Sequence, residues 1–405
     1  MSREGSIKRD ASGHWSFVVD LSPAGSPQRR QVRRRGFKTK RDAIEKLQEL
    51  QHDMRMGAFV EPSKQTLGSF LTEWLETIRS TVRQSTWASY ERNMRVHVVP
   101  RIGHFPLQGI DPGTISKLYA ALLADGHRGV NGYAKPQSAA TNSRPTGLAP
   151  RTVAYIGTIL HRAFDDAVHW GRLVRNPADA VKRPKVPHAS STVTAWDAAT
   201  LADFLSRSKS YRGKGGQADR YFALWMLLAT TGLRRGEALG LRWSDVDLDA
   251  KVLSVSQTVI VVEHEQMIGT PKTAAGARAV ELDQVTVAAV RDHRRSQLQE
   301  RLLSGAGFAD HGFVFCLPDG RPYHPERVST EFDRRVAKWG LPRITLHGLR
   351  HTWATLALRG GVHPKVVQER LGHSTISITL NTYSHVSVGM QREAAEKVAS
   401  LIFGA

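Results

Sequence analysis

Leu346-His347-Gly348-Leu349-Arg350-His351-Thr352, followed by Leu371-Gly372-His373 and then Asn381-Thr382-Tyr383-Ser384-His385, is the stretch that decides how this 405-residue chain is read. His347 and Arg350 are three apart, so a helix would carry them on one face. Gly372 reads as a helix C-cap and Ser374 as the cap of the next helix, which puts His373 at a tight corner. Tyr383 follows ten residues later. Arginine, several histidines and a tyrosine together suit the binding of a phosphodiester and its attack by a side-chain oxygen, with Tyr383 as the nucleophile. Each residue alone carries little, since a single tyrosine is more often buried and bonded to a carbonyl.

Working upstream, two further groups belong with this stretch: Arg234 in Thr231-Gly232-Leu233-Arg234-Arg235-Gly236-Glu237, and Lys272 in Thr270-Pro271-Lys272-Thr273. The spacing predicts a helix over about 197–207, a buried helix over Tyr221–Thr230, a turn at Gly232 and a helical stretch through Glu237, Leu239 and Leu241. Val252 to Val262 alternates as a strand, with Ala277 to Leu282 as its partner and Lys272 in the turn-rich stretch between. From Val285 onward the pattern is mostly helical. A catalytic region from 187 to 405, α-rich with a small antiparallel sheet, is expected.

Composition limits the partners. The formal charge is +20 with a pI near 10.4, and the excess is spread as +5 over 1–62, +8 over 65–186 and +6 over 187–405, with Lys64 supplying the last unit. Lysines and arginines in such excess gain counterion-release entropy on a polyanion, so every segment can face nucleic acid. Mean hydropathy is −0.34, the longest apolar run, Tyr221 to Ala229, is too short to cross a bilayer, and the N-terminus lacks a signal-peptide core. A cytoplasmic, nucleoid-associated protein with no membrane partner is expected. Cys316 is the only cysteine, which excludes an intrachain disulfide and a cysteine-cluster zinc site.

Before residue 187 the pattern suggests two more domains. In residues 1–62, alternation over 6–20 and the turn formers of 22–27 read as two strands and a hairpin, followed by a third strand and a helix capped by Thr39 that carries Ile44, Leu47, Leu50 and Met54. The third strand lies in a run with eight basic residues and no acidic one: Arg29, Arg30, Arg33, Arg34, Arg35, Lys38, Lys40 and Arg41. A basic ribbon of this kind fits a DNA groove. Residues 63–186 read as short helices. The first starts at Thr66, a second is capped by Ser85, a break falls at Pro100, a third starts at Asp111-Pro112, and a fourth spans Arg151 to Trp170. Gly126 to Pro150 reads as a mobile loop, and Lys182, Arg183 and Lys185 mark a cationic linker.

In this order the motifs resemble the tyrosine recombinases, the phage-type integrases. The likeness is carried by Thr231-Gly232-Leu233-Arg234-Arg235-Gly236-Glu237-Ala238-Leu239, Pro271-Lys272-Thr273, His347-Gly348-Leu349-Arg350-His351-Thr352, Leu371-Gly372-His373 and Asn381-Thr382-Tyr383. Upstream, the helical section with Asn176-Pro177 looks like a core-type DNA-binding domain, and 1–60 looks like an arm-type one. The extended 126–150 segment departs from the usual compact connection. The resemblance implies that Arg234 and Arg350 clamp the scissile phosphate. It assigns proton acceptance to His347, a general acid to Lys272, a phosphate hydrogen bond to His373 and a 3′-phosphotyrosyl link to Tyr383. Double-stranded attachment-site DNA and a homotetramer on it are the implied partners, with a DNA-bending host factor and a directionality factor as candidate helpers. No cofactor is implied. Glu237 reads as an orienting partner for basic groups, and His351 and His385 have no assigned role.

Other classes fit less well. Gly213-Lys214-Gly215-Gly216 lacks the spacing of a phosphate-binding loop. His347 and His351 stand at the spacing of a zincin helix, but Gly348 replaces the required glutamate and Arg350 between them would repel a cation. A type IB topoisomerase and a non-catalytic DNA-binding protein stay open as alternatives. The final helix, Met390 to Ile402, is expected to pack on a neighbouring protomer or in cis.

Overall fold

A computed structural model of the chain describes residues 6–20, 31–55, 59–125, 147–186, 195–213, 216, 218–263, 265–270, 274–383 and 398–404. The chain divides into two compact units, Met1–Pro187 and His188–Ala405.

The first unit opens with an antiparallel sheet in the order β1 (Ser6–Arg9), β2 (Trp15–Asp20) and β3 (Gln31–Phe37), followed by α1 (Lys40–Arg55). The first two strands both lie within 6–20, because Asp10 closes a turn by accepting from the backbone N–H groups of Ser12 and His14. The 22–27 turn lies outside the described residues. Phe17, Val19, Ala43 and Leu47 form a small core, while Ile44 is half exposed. Thr39 caps α1 by accepting from the Asp42 N–H at 3.1 Å.

The helical section of this unit comprises α2 (Leu67–Ile78), α3 (Gln84–Asn93), α4 (Val99–Ile102), α5 (Pro112–Asp125) and α6 (Pro150–His169). Thr66 and Asp111 act as the expected starts, accepting from Ser69 at 3.2 Å and Thr114 at 2.6 Å. Ser85 is not a cap. The Arg83 carbonyl already accepts from the Thr86 and Trp87 N–H groups at 2.9 Å, so α3 starts at Gln84 and Ser85 falls in its first turn. Pro100 is not a break either. A π turn over Met94–Val98 leads into α4, whose first turn holds Pro100 where a missing N–H costs nothing, and the stop is at Gly103. The apolar stripes are core, with Leu67, Phe70, Trp74, Ile115, Leu118, Ile156 and Phe164 buried; Leu123, near the end of its helix, is the half-exposed exception. Residues 126–146 of the expected loop lie outside the described residues.

In the second unit, α7 (Ala198–Ser210) packs on α8 (Phe222–Thr231), whose sequence is apolar on every side and which is therefore buried all round. The short α9 (Arg235–Gly240) follows. Then come β4 (Val246–Asp247), β5 (Val252–Val255), β6 (Thr258–Val262), β7 (Glu265–Gly269) and β8 (Arg278–Glu281). The run from Val252 to Val262 is two strands in two sheets rather than one. β5 pairs with β4 and β8, whereas β6 turns back at Glu263 (φ +50°) and pairs with β7. Gln257 separates them by donating to the Gly240 carbonyl at 2.6 Å.

The unit closes with α10 (Gln284–Ser304), α11 (Pro325–Lys338), α12 (Leu346–Arg359), α13 (Pro364–Leu371) and α14 (Ile376–Tyr383). Its main core gathers Trp196, Phe204, Trp225, Leu228, Leu239, Leu253, Phe315, Phe332 and Leu349. Of the expected last helix, 390–397 lie outside the described residues. Residues 398–403 are helical, with Leu401, Ile402 and Phe403 exposed.

Candidate active site

The site is built where α8 ends, α9 and α12 begin, and α13 ends. α8 terminates at Gly232 in the left-handed conformation, φ +67°. A Cβ there would stand 2.7 Å from Leu371 Cδ2 and 3.1 Å from Trp353, so only glycine lets the two helix ends meet. The next residue but one, Arg234, is extended and starts α9. Its backbone N–H donates to Glu237 Oε2 at 2.9 Å and its Nη1 to Glu237 Oε1 at 2.7 Å. Its Nη2 reaches across 138 residues of sequence to the Gly372 carbonyl at 3.2 Å.

Arg350 arrives from α12, a helix whose first turn is fixed by Thr345 accepting from the Gly348 N–H. The guanidinium is buried, 3% exposed, and donates to the carbonyls of Gly232 at 2.8 Å and Leu371 at 2.7 Å. Arg234 and Arg350 are thus held by main-chain oxygens of two helix C-termini. There the exposed carbonyls carry partial negative charge, which suits cations. Gly372 ends α13 in the expected left-handed cap, φ +65°, and His373 follows at the corner. His373 Nδ1 lies 2.8 Å from Thr379 Oγ1.

The histidines of the site are poor bases. Loss of water around the ring, then His351, Arg350 and Arg234, push His347 down to about 4, although part of its surface stays open to solvent. Burial and the same two arginines push His373 down to about 4. Burial and Arg350 also lower His351, whose ring meets that of His347 edge to face at 4.8 Å. The imidazoles are therefore neutral near pH 7. An unfolded chain protonates them near 6.5, so between about 6.5 and 4 it binds more protons than the fold does. The stability that these histidines contribute should fall as pH drops through that window and level off below it. Melting temperatures measured from pH 7.5 to 4 should show this fall, and His373→Gln should flatten it.

Of the sequence candidates, Arg234, His347, Arg350 and His373 are brought together. Tyr383 is the last residue of α14, and its side chain lies outside the described residues. So do Lys272, between β7 and β8, and Arg29 and Arg30. Arg33, Arg34, Arg35, Lys38, Lys40 and Arg41 are exposed on and after β3, while Val32 on the same strand is buried. Lys182, Arg183 and Lys185 are exposed on a stretch without regular structure, where Arg183 donates to Thr158 at 3.2 Å. Glu237 is more deeply placed than its sequence context suggests, 4% exposed, and its second cation is Arg278, which the motif pattern did not single out. An arginine at the start of the Arg278-Ala279-Val280-Glu281 strand was the available signal. Among the described residues one group has metal-ligand spacing, His161, Asp165 and Asp179 in the first unit; both ring nitrogens there already pair with carboxylates at 2.9 Å.

Two guanidinium groups and neutral imidazoles in one locus, near a helix that ends at Tyr383 in a chain of +20, suit chemistry on a phosphodiester. The phage integrase family matches residues 197–390, its N-terminal SAM-like domain matches 66–123, and the arm DNA-binding domain matches 6–54. A tyrosine recombinase XerC-like protein of Caldanaerobacter subterraneus subsp. tengcongensis is 28% identical over 378 residues, 90% of each chain. In fold, the Tn1549 transposon integrase in complex with circular intermediate DNA superposes with a TM-score of 0.64 at 23% identity, over 82% of this chain and 99% of that one. A lambda integrase tetramer bound to a Holliday junction gives 0.54 at 17%, over 91% and 95%. The chain belongs to the phage integrase family and is a tyrosine recombinase, an enzyme that cleaves and rejoins DNA.

Proposed function

We propose that this recombinase integrates and excises a mobile element such as a prophage, exchanging strands between two attachment sites as a homotetramer, with Tyr383 as the nucleophile. The Tyr383 oxygen attacks phosphorus while its proton passes to His347; negative charge on the phosphate beside the ring offsets the burial and the arginines that make this imidazole a weak base in the free enzyme. The bond to the 5′-oxygen breaks, and Lys272 supplies the proton that makes the 5′-hydroxyl. Arg234 and Arg350 hold the non-bridging oxygens as charge builds on the pentavalent phosphorus. With the Thr379 hydroxyl donating to His373 Nδ1, the neutral imidazole carries its proton on Nε2 and offers it to the phosphate. A 5′-hydroxyl from the partner strand then reverses these steps, and the retained bond energy removes any need for a nucleotide cofactor.

One observation carries this reading: the carbonyls of Gly232, Leu371 and Gly372 draw Arg234 and Arg350 into one locus from segments over a hundred residues apart. The likeness of 6–54 to an arm DNA-binding domain supports an integrase over a type IB topoisomerase, which has no use for such a domain. The DNA-bound and tetrameric neighbours support attachment-site DNA and a tetramer as partners. A DNA-bending host factor and a directionality factor complete the proposed assembly, and the nucleoid is its proposed location. Covalent protein–DNA adducts recovered from host cells and sequenced at their ends should map to one phosphate per strand at two sites. Tyr383→Phe should abolish them; adducts persisting in that variant would refute Tyr383 as the nucleophile.

A further inference from the structure

Arg278 stands outside every motif quoted above, yet its guanidinium touches three of the segments that carry the site. It is 7% exposed. Nη2 donates to Glu237 Oε2 at 3.0 Å and Nη1 lies 3.4 Å from Oε1, a forked grip on a buried carboxylate. Nε donates to the Arg370 carbonyl at 2.6 Å, in the last turn of α13. Nη1 also donates to the Gly276 carbonyl at 2.9 Å, in the turn leading back toward Lys272. A Cβ on Gly372 would come within 2.9 Å of Nη1, so the cap before His373 is seated against this guanidinium.

We propose that Arg278 is a positioning residue of the recombinase: through Glu237 it sets Arg234, and through the Arg370 and Gly276 carbonyls it ties the His373 corner and the base of the Lys272 turn to the same point. The physical reason for an arginine is its fixed fork. Two N–H groups face the carboxylate while the third nitrogen points along the chain to α13, which the point charge of lysine cannot reproduce. Burial alone would raise the Glu237 carboxyl; Arg278 first, and Arg234 after it, outweigh that and keep the carboxyl ionised. Without Arg278, the carboxylate that aligns Arg234 loses one of its two cations and the contact that ties it to α13. A reacting group displaced by about 1 Å can lose on the order of 100-fold in rate.

This inference rests on the reading of Arg234 and Lys272 as catalytic residues, and its test separates the two. The full chain is reacted in single turnover with a synthetic duplex of the mapped attachment site, nicked so that the 5′-hydroxyl fragment diffuses away and the adduct accumulates. Burst amplitude counts folded enzyme, and the rate constant reports the site. Arg278→Met should lower the rate constant about 10- to 100-fold at saturating DNA, with affinity nearly unchanged. Arg278→Lys should recover only part of the loss. Glu237→Gln should show a loss of the same kind, and the double variant Arg278→Met/Glu237→Gln should be no slower than the slower single one, as expected of residues acting in one chain. A normal rate constant at reduced amplitude would show a role in folding alone and overturn the proposal, as would losses that multiply in the double variant. If Arg278→Met does not fold, Arg278→Lys and Glu237→Gln decide by the same criteria. Failure of the wild-type chain to form any adduct would defeat the functional reading instead.

Discussion

Arg350→Ala is expected to slow adduct formation at saturating DNA by on the order of a thousandfold, while DNA affinity falls only a few-fold. The guanidinium is held by the Gly232 and Leu371 carbonyls, which fix its plane in the locus it shares with Arg234. Preorganised in this way, it needs no reorganisation as negative charge grows on the phosphate oxygens, and a thousandfold corresponds to about 4 kcal/mol of barrier. Affinity, by contrast, is shared among many basic residues in a chain with 57 lysines and arginines, so one contact removes little of it. Single-turnover trapping and DNA titration on the same preparation separate the two quantities. A parallel fall in both would mean that Arg350 serves binding rather than the chemical step. Since the substitution also leaves two carbonyls without their donor, the burst amplitude is needed to count the folded fraction.

Asp219→Ala should be the most destabilising single change in the second unit away from the site. Asp219 and Arg335 are 1% and 3% exposed and paired by two hydrogen bonds, one of them 2.8 Å long. Ser208 donates to the same carboxylate at 2.6 Å, and Arg335 also bonds Glu331 at 2.8 Å and lies 4.3 Å from the Tyr211 ring centroid. Removing Asp219 strips the buried guanidinium of its two most buried hydrogen bonds and leaves Glu331 as its remaining carboxylate partner among the described residues, at a cost of about 3 kcal/mol, the low end for breaking a buried pair. For a unit of this size that is a melting-temperature drop of roughly 10 °C. The double variant Asp219→Ala/Arg335→Met should recover a good part of it, because no buried charge is then left alone. Calorimetry that finds the double variant as unstable as the single one would show that packing, rather than charge, dominates there.

Helices and caps were legible wherever one residue type has one local use. Gly232 and Gly372 end α8 and α13, Thr39 and Thr66 start helices by accepting from N–H groups three residues on, and the apolar helix expected over Tyr221–Thr230 is largely buried. Local pattern failed where two solutions were equally good locally. Ser85 and Arg83 compete to start α3, and Val252 to Val262 alternates throughout although its halves join different sheets. Alternation states which face is buried, but the partner strand is chosen by contacts far away in sequence.

The C-terminal stretch and its upstream Arg234 were recognisable because phosphodiester chemistry needs particular side chains in a particular order. By itself the sequence determined the class of chemistry, the residue types and a basic surface suited to a polyanion. Only the tertiary structure decided what holds those groups. Three backbone carbonyls carry no sequence signature, since every residue has one, yet they fix both arginines. Arg278 is likewise an ordinary arginine in the sequence, and only the folding of β8 against the end of α13 buries it beside Glu237. The burial that leaves the site histidines neutral follows from the same packing, because desolvation depends on the neighbours that the fold supplies.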